Sequence, residues 1–129
     1  MPQNPNQVYP AVSSGVAKPL NTDAVGLLLN SQGGANAVQV TAAAVIKATP
    51  GRIAKIIILA PGSTSGAFTF NNCATTGAAS SGNQIFTLAY NATANVAGAI
   101  FTVEIPCGTG IVCSAVPGGG SPVALVTYT

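Results

Sequence analysis

The chain has 129 residues, enough for one domain with its own core, so folding requires neither a disulfide framework nor a metal. Only 5% of it is charged, against about 25% in an ordinary soluble domain, and the six residues are Lys18, Asp23, Lys47, Arg52, Lys55 and Glu104. A net charge of +2 with no tight Lys/Arg cluster excludes an electrostatic nucleic-acid binder, and so sparse a charge predicts burial of much of the surface in an assembly.

Residues 1–36 read as an extended N-terminal arm. Pro2, Pro5, Pro10 and Pro19 interrupt any helix or ladder, with Asn, Gln, Ser and Gly between them. The arm carries one sticky segment, Val25, Leu27, Leu28 and Leu29, closed by Asn30-Ser-Gln-Gly-Gly34. Such residues should not stay in water, so the segment is expected to dock on a neighbouring chain or another partner.

From residue 37 to 129 the chain is a series of short β-like runs. Residues 38–49 are rich in Val, Ala and Thr. A helix competes there, but the β-branched residues favour a strand. Pro50-Gly51 suits a type II turn, which splays strands, and so marks a corner between sheets. Residues 52–60 follow, with Ile56 and Ile58 pointing one way and Ile57 and Leu59 the other, which predicts cover on both faces. A loop over 61–66 leads to a strand at 67–71 with Phe68 and Phe70 inward. A Gly/Ser/Thr/Ala loop over 72–83 precedes a strand at 84–90 with Phe86 and Leu88 on one face. After another loop, residues 99–105 alternate, with Phe101, Val103 and Ile105 in and Thr102 and Glu104 out. Strands at 111–116 and 123–128 end the chain, separated by the flexible turn Pro117-Gly-Gly-Gly-Ser-Pro122. Seven or eight strands at this spacing, with no helical runs between them, predict an all-β fold. It is a single β-sandwich, with the jelly roll among its candidate topologies.

The residues offer little chemistry. There is no His, and the two carboxylates, Asp23 and Glu104, are far apart in sequence, one of them in the arm. Cys73, Cys107 and Cys113 lack a neighbouring base and are too few to complete a four-ligand zinc site. Their odd count is no disulfide framework. Cys107 and Cys113 flank a Gly-Thr-Gly turn and could meet, but free buried thiols are the expectation. The glycine-rich Pro117–Pro122 stretch lacks the Lys and helix of a phosphate loop. Asn91-Ala92-Thr93 matches a glycosylation sequon. The N-terminus shows no secretion signal, and no apolar run reaches membrane-spanning length, so cytoplasmic synthesis without export is expected. The chain is therefore expected to be no enzyme, to hold no cofactor or metal, and to bind neither nucleic acid nor membrane.

Val45-Ile-Lys-Ala-Thr-Pro-Gly-Arg-Ile-Ala-Lys-Ile56 carries a resemblance, continued by Gly66-Ala-Phe-Thr-Phe70, Asn83-Gln-Ile-Phe86, Pro106-Cys107, Thr109-Gly-Ile-Val112 and the closing Tyr128. Over residues 38–129 this resembles small tailed-phage virion proteins, the capsid decoration or cement proteins and related head-fibre proteins. The arm matches no such pattern. The resemblance implies a β-sandwich made in the host cytoplasm that binds the capsid exterior of the virion and cements neighbouring capsid subunits. The implied partners are the major capsid protein and further copies of itself, as a trimer or dimer. Few charges to desolvate and an apolar, shape-matched surface suit that role. Val25, Leu27, Leu28, Leu29, Arg52, Ile57 and Leu59 are the candidate subunit or capsid contacts. The alternative is a head-fibre or tail-fibre module that binds a host-surface glycan or receptor. The lack of Trp, with Tyr9, Tyr90 and Tyr128 as the only tyrosines, weighs against it. A major shell or minor tail subunit ranks lower, since a major capsid protein is generally much longer.

Overall fold

The computed structural model describes residues 11–13, 16–18, 36–91, 93 and 96–129. The chain divides into two compact units, Met1–Ser31 and Gln32–Thr129. In the first, β1 (Ala11–Ser13) and β2 (Val16–Lys18) pair antiparallel, with Val12 opposite Ala17. Val25 and Leu27–Leu29 lie outside the described residues.

The second unit contains eight strands: β3 (Asn36–Val40), β4 (Ala44–Lys47), β5 (Gly51–Ala60), β6 (Ala67–Asn71), β7 (Gln84–Ala89), β8 (Ile100–Cys107), β9 (Ile111–Ala115) and β10 (Val123–Tyr128). They form two four-stranded sheets. Sheet I has the order β3-β10-β5-β8 and sheet II the order β4-β9-β6-β7. First pairs with last throughout: β3 with β10, β4 with β9, β5 with β8 and β6 with β7, all antiparallel. This unit is thus one long hairpin, with its tip between β6 and β7, rolled so that successive rungs fall in alternate sheets. The added pairs β10–β5 and β9–β6 close the roll. This is jelly-roll connectivity.

The alternation of β5 explains why the roll closes around it. Ile53, Ile56 and Ile58 are fully buried, and Val126 and Ala124 stand opposite Ile56 and Ile58 on β10. Val40 of β3 joins them from the edge. Phe68, Phe70, Ile111 and Cys113 meet them from sheet II. Phe86 stands directly across from Phe70, their ring centroids 6.4 Å apart. Phe101, Val103 and Leu88 pack on the same core and are partly buried. Burying each such side chain is worth about 1.5–3 kcal/mol before ordering costs.

Two expectations change and one holds. Residues 38–49 form two strands, not one. Bends at 41–43 carry the chain from sheet I to sheet II, and the small exposed Ala42 and Ala43 allow that crossing. The Pro50-Gly51 corner does join two sheets, returning the chain from β4 to β5. The run over 99–105 does not alternate cleanly. Its register against β5 shifts between the Lys55–Thr102 and Ile53–Ile105 pairs, and Glu104 sits in that irregularity with φ of 48°. A bulge there suits β8, an edge strand, as does Pro106, which cannot donate to a ladder. Ile105, expected inward, is only partly buried.

Candidate functional site

Strand alternation assigns an outer face to each sheet. On sheet I, the residues of β5 between the buried isoleucines point away from the core. Ile57 pairs with Leu125 on one side and Ile100 on the other, and Leu125 pairs with Gln39. Cross-strand partners share a face, so Gln39, Leu125, Ile57 and Ile100 make one row across the whole sheet, and three of the four are apolar. Ile100 is 62% exposed, and Leu59, two positions beyond Ile57, is 41% exposed. The next row is Ala37, Thr127, Lys55 and Thr102. There the backbone N–H of Lys55 donates to Thr127 Oγ1 at 3.0 Å, and Lys55 makes no ion pair among the described residues.

Sheet II is finished differently. Val112 lies between the core residues Ile111 and Cys113, so it faces outward, yet it is completely buried. The loop between β6 and β7 lies against β9 and covers it. Two short 3₁₀ turns, Thr76–Ala78 and Ser81–Asn83, shape that loop, and asparagines pin it. Buried Asn71 donates through Nδ2 to Ser80 O at 2.8 Å and Asn83 Oδ1 at 2.7 Å, and its Oδ1 accepts from Ser114 Oγ at 2.7 Å. Asn83 Nδ2 donates to Ala78 O at 2.8 Å, and Asn72 Oδ1 accepts from the Thr109 N–H at 2.9 Å. Gly110 is needed beneath this loop, because a Cβ there would lie 2.5 Å from Cys73 O and 2.8 Å from Lys47 O. The middle of sheet II's outer face is therefore covered by its own chain, while Val45, paired with Val112 on the edge strand β4, stays 43% exposed. The outer face of sheet I presents an apolar row, and among the described residues no loop is pinned across it in this way.

Comparison with known proteins adds nothing to this geometry. No family model, curated protein or solved structure matches the chain.

Of the residues singled out from sequence, Ile57 and Leu59 fall on this one face, while Val25 and Leu27–Leu29 lie outside the described residues. Arg52 is engaged within the chain: its Nη1 lies 2.9 Å from Glu104 Oε2, both side chains about a third exposed. Glu104, expected on the outer face of its strand, is thus a salt-bridge partner within the chain. An exposed pair of this kind is worth about 0–1 kcal/mol, so it orients the bulge more than it stabilises the fold. Ile100, Leu125 and Lys55 complete the face and were missed as contacts. The alternation that placed Phe101 inward already implied that Ile100 points outward.

The thiols are buried and free. Burial pushes the Cys107 thiol up and the Cys113 thiol up to about 11, which suppresses the nucleophilic thiolate. Among the described residues no three His, Cys, Asp or Glu side chains gather, and no helix is long and apolar enough to cross a membrane.

Proposed function

We propose that the chain is a non-enzymatic structural virion protein that binds the outer capsid surface and cements neighbouring capsid subunits. The observation that carries this reading is a contrast between the two outer faces: the middle of sheet II is covered by its own loop, leaving Val45 exposed at the edge, whereas sheet I gathers Ile57, Leu59, Ile100 and Leu125 into one apolar patch. Covering Ile100 and Leu59, each about half-exposed, is worth roughly 1 kcal/mol apiece. That is weak for a single copy, but many copies on a lattice turn weak contacts into firm retention. The low charge content supports the same reading, since few groups must be desolvated on docking. Jelly rolls occur in capsid proteins and in lectins alike, so the fold alone does not choose between them. Sheet I and the N-terminal segment together are the proposed contact, with the major capsid protein and other copies of the chain as partners.

The test is co-sedimentation with particles of the phage that encodes the chain, using the wild type and Ile100→Glu. Because Ile100 is largely exposed, the variant should stay folded, within about 0.5 kcal/mol of wild type. Retention should fall at least about tenfold, the scale of a desolvated charge in an apolar contact. A variant retained like the wild type rules out this face as the contact. A wild-type chain that never sediments with the particles rules out the capsid reading.

A further inference from the structure

A strand at the edge of a sheet leaves a row of backbone N–H and C=O groups open to another chain. The sandwich carries four such strands, β3 and β8 in sheet I and β4 and β7 in sheet II. Three of them are blunted. On β8 the ladder shifts register at Glu104, whose φ is 48°, and Pro106 removes a donor. β4 has only four residues, shifts register after Val45 and ends in Lys47. On β7 the register shifts between the Phe70–Phe86 and Asn71–Gln84 pairs, which leaves Ile85 as an extra residue.

β3 has none of these devices. Its five residues, Asn36-Ala-Val-Gln-Val40, hold no charge and no proline. They pair with β10 from Tyr128 to Ala124 without a shift, whereas every other ladder of the sandwich carries one. Asn36, Ala37 and Gln39 are exposed, and among the described residues nothing pairs with the far side of the strand. A regular, neutral edge left open beside three blunted ones is the form a pairing strand takes.

We infer that the open edge of β3 pairs antiparallel with β3 of a second copy of the chain, joining two copies of sheet I into one sheet of eight strands. An antiparallel strand complements itself about a two-fold axis. One open edge per copy gives a closed dimer, where two would give an open-ended fibre, and that is what the three blunted edges prevent. Charge does not oppose the approach. β10, next to β3, is uncharged as well, and Lys55 on β5 would stand about 24 Å from its counterpart, five strand spacings away and about three times the Debye length in physiological salt. β3 starts level with Ile53 and ends level with Ile58, so antiparallel pairing also separates the ends that hold Lys47, Arg52 and Glu104. The outer side chains of β3 are Ala37 and Gln39, small or flexible enough to lie beside their own copies. The pairing does not depend on the virion reading, but it bears on it. The two-fold axis stands perpendicular to the joined sheet, so both outer faces turn to the same side, splayed by a twist of about 20–25° per strand. Two patches splayed in this way can each rest on a different capsid subunit.

The experiment is analytical ultracentrifugation of the purified full chain over a range of concentrations, with hydrogen exchange at the same concentrations. A five-residue edge is a small contact, so a dimer with a dissociation constant on the order of 0.1 mM is expected, and exchange in β3 should slow as it forms. Ala37→Lys/Gln39→Lys sets like charges across the two-fold axis at exposed positions, so the variant should stay folded and dimerise at least about tenfold more weakly. Ala37→Glu/Gln39→Glu should behave alike, and an equimolar mixture of the two should pair again, which a folding defect would not allow. A chain that is monomeric at every concentration overturns the inference, whether its own N-terminal segment or a strand of the capsid protein fills the edge. A dimer that both charged variants leave intact overturns it as well. Neither result touches the proposed function, which co-sedimentation tests separately.

Discussion

Asn71 offers the sharpest test of how the covered face is built. It is 2% exposed and makes three side-chain hydrogen bonds, to Ser80 O, Asn83 Oδ1 and Ser114 Oγ. Asn71→Ala removes all three. At about 0.5–1.5 kcal/mol net for each bond, the loss is about 1.5–4.5 kcal/mol, centred near 3. Part of that cost is recoverable, because Asn83 Oδ1 still accepts from the Ser80 N–H and Ser114 Oγ still lies 3.4 Å from Thr69 O. For a domain of this size, about 3 kcal/mol corresponds to a midpoint roughly 12–24 °C lower. Asn71→Asp should cost as much or more, since a carboxylate supplies neither of the two donors and sets a charge among buried acceptors. Equilibrium urea unfolding measures the loss. Hydrogen exchange should show faster exchange at Asn72 and Thr109, whose N–H groups are bonded to Asn83 O and Asn72 Oδ1. A loss below about 1 kcal/mol with unchanged exchange would refute the account, because the loop would then be held by something other than this network.

Two further predictions concern the core. Phe70→Ala should cost about 3–5 kcal/mol and Phe101→Ala about 2, because Phe70 is fully buried and Phe101 is partly exposed on an edge strand; equal losses in urea titrations would contradict that ranking. The Cys113 thiol is raised by burial from about 9 to about 11, so the folded state holds its proton where the unfolded chain has released it. Its contribution is complete below about pH 9 and is lost as pH rises toward 11, an effect of about 2–3 kcal/mol that Cys113→Ala should abolish in a pH series of unfolding midpoints.

The fold was legible where side chains alternate without interruption. Ile56 and Ile58 against Ile57 and Leu59, and Phe68 with Phe70, placed their strands and faces directly. The crossing at residues 41–43 was not legible, because Ala42, Ala43 and Ala44 carry no turn signal, and their low β-propensity pointed to a competing helix rather than to a change of sheet. The bulge at Glu104 was hidden for a related reason: alternation predicts a regular ladder, and a bulge depends on the register of the opposite strand, here β5. The loop over 72–83 looked like a featureless connection. Its order comes from Asn71, Asn72 and Asn83, whose partners are fixed only once β6, β7 and β9 lie side by side. The same limit applied to the site. Ile57 and Leu59 were read as outward, but the row they form with Ile100 and Leu125 is a product of cross-strand pairing. So is the engagement of Arg52 by Glu104, which lies far along the sequence.

The central claim is that this jelly roll is a capsid-bound structural protein attached through the outer face of sheet I. Electron cryo-microscopy of the virion, at a resolution that separates strands, tests it most directly. The account predicts a β-sandwich on the shell exterior with Ile57, Leu59 and Ile100 against the capsid surface and the loop over 72–83, on the opposite sheet, turned to solvent. A sandwich seated through the loop over 72–83, or a particle on which the chain does not occur, would contradict it.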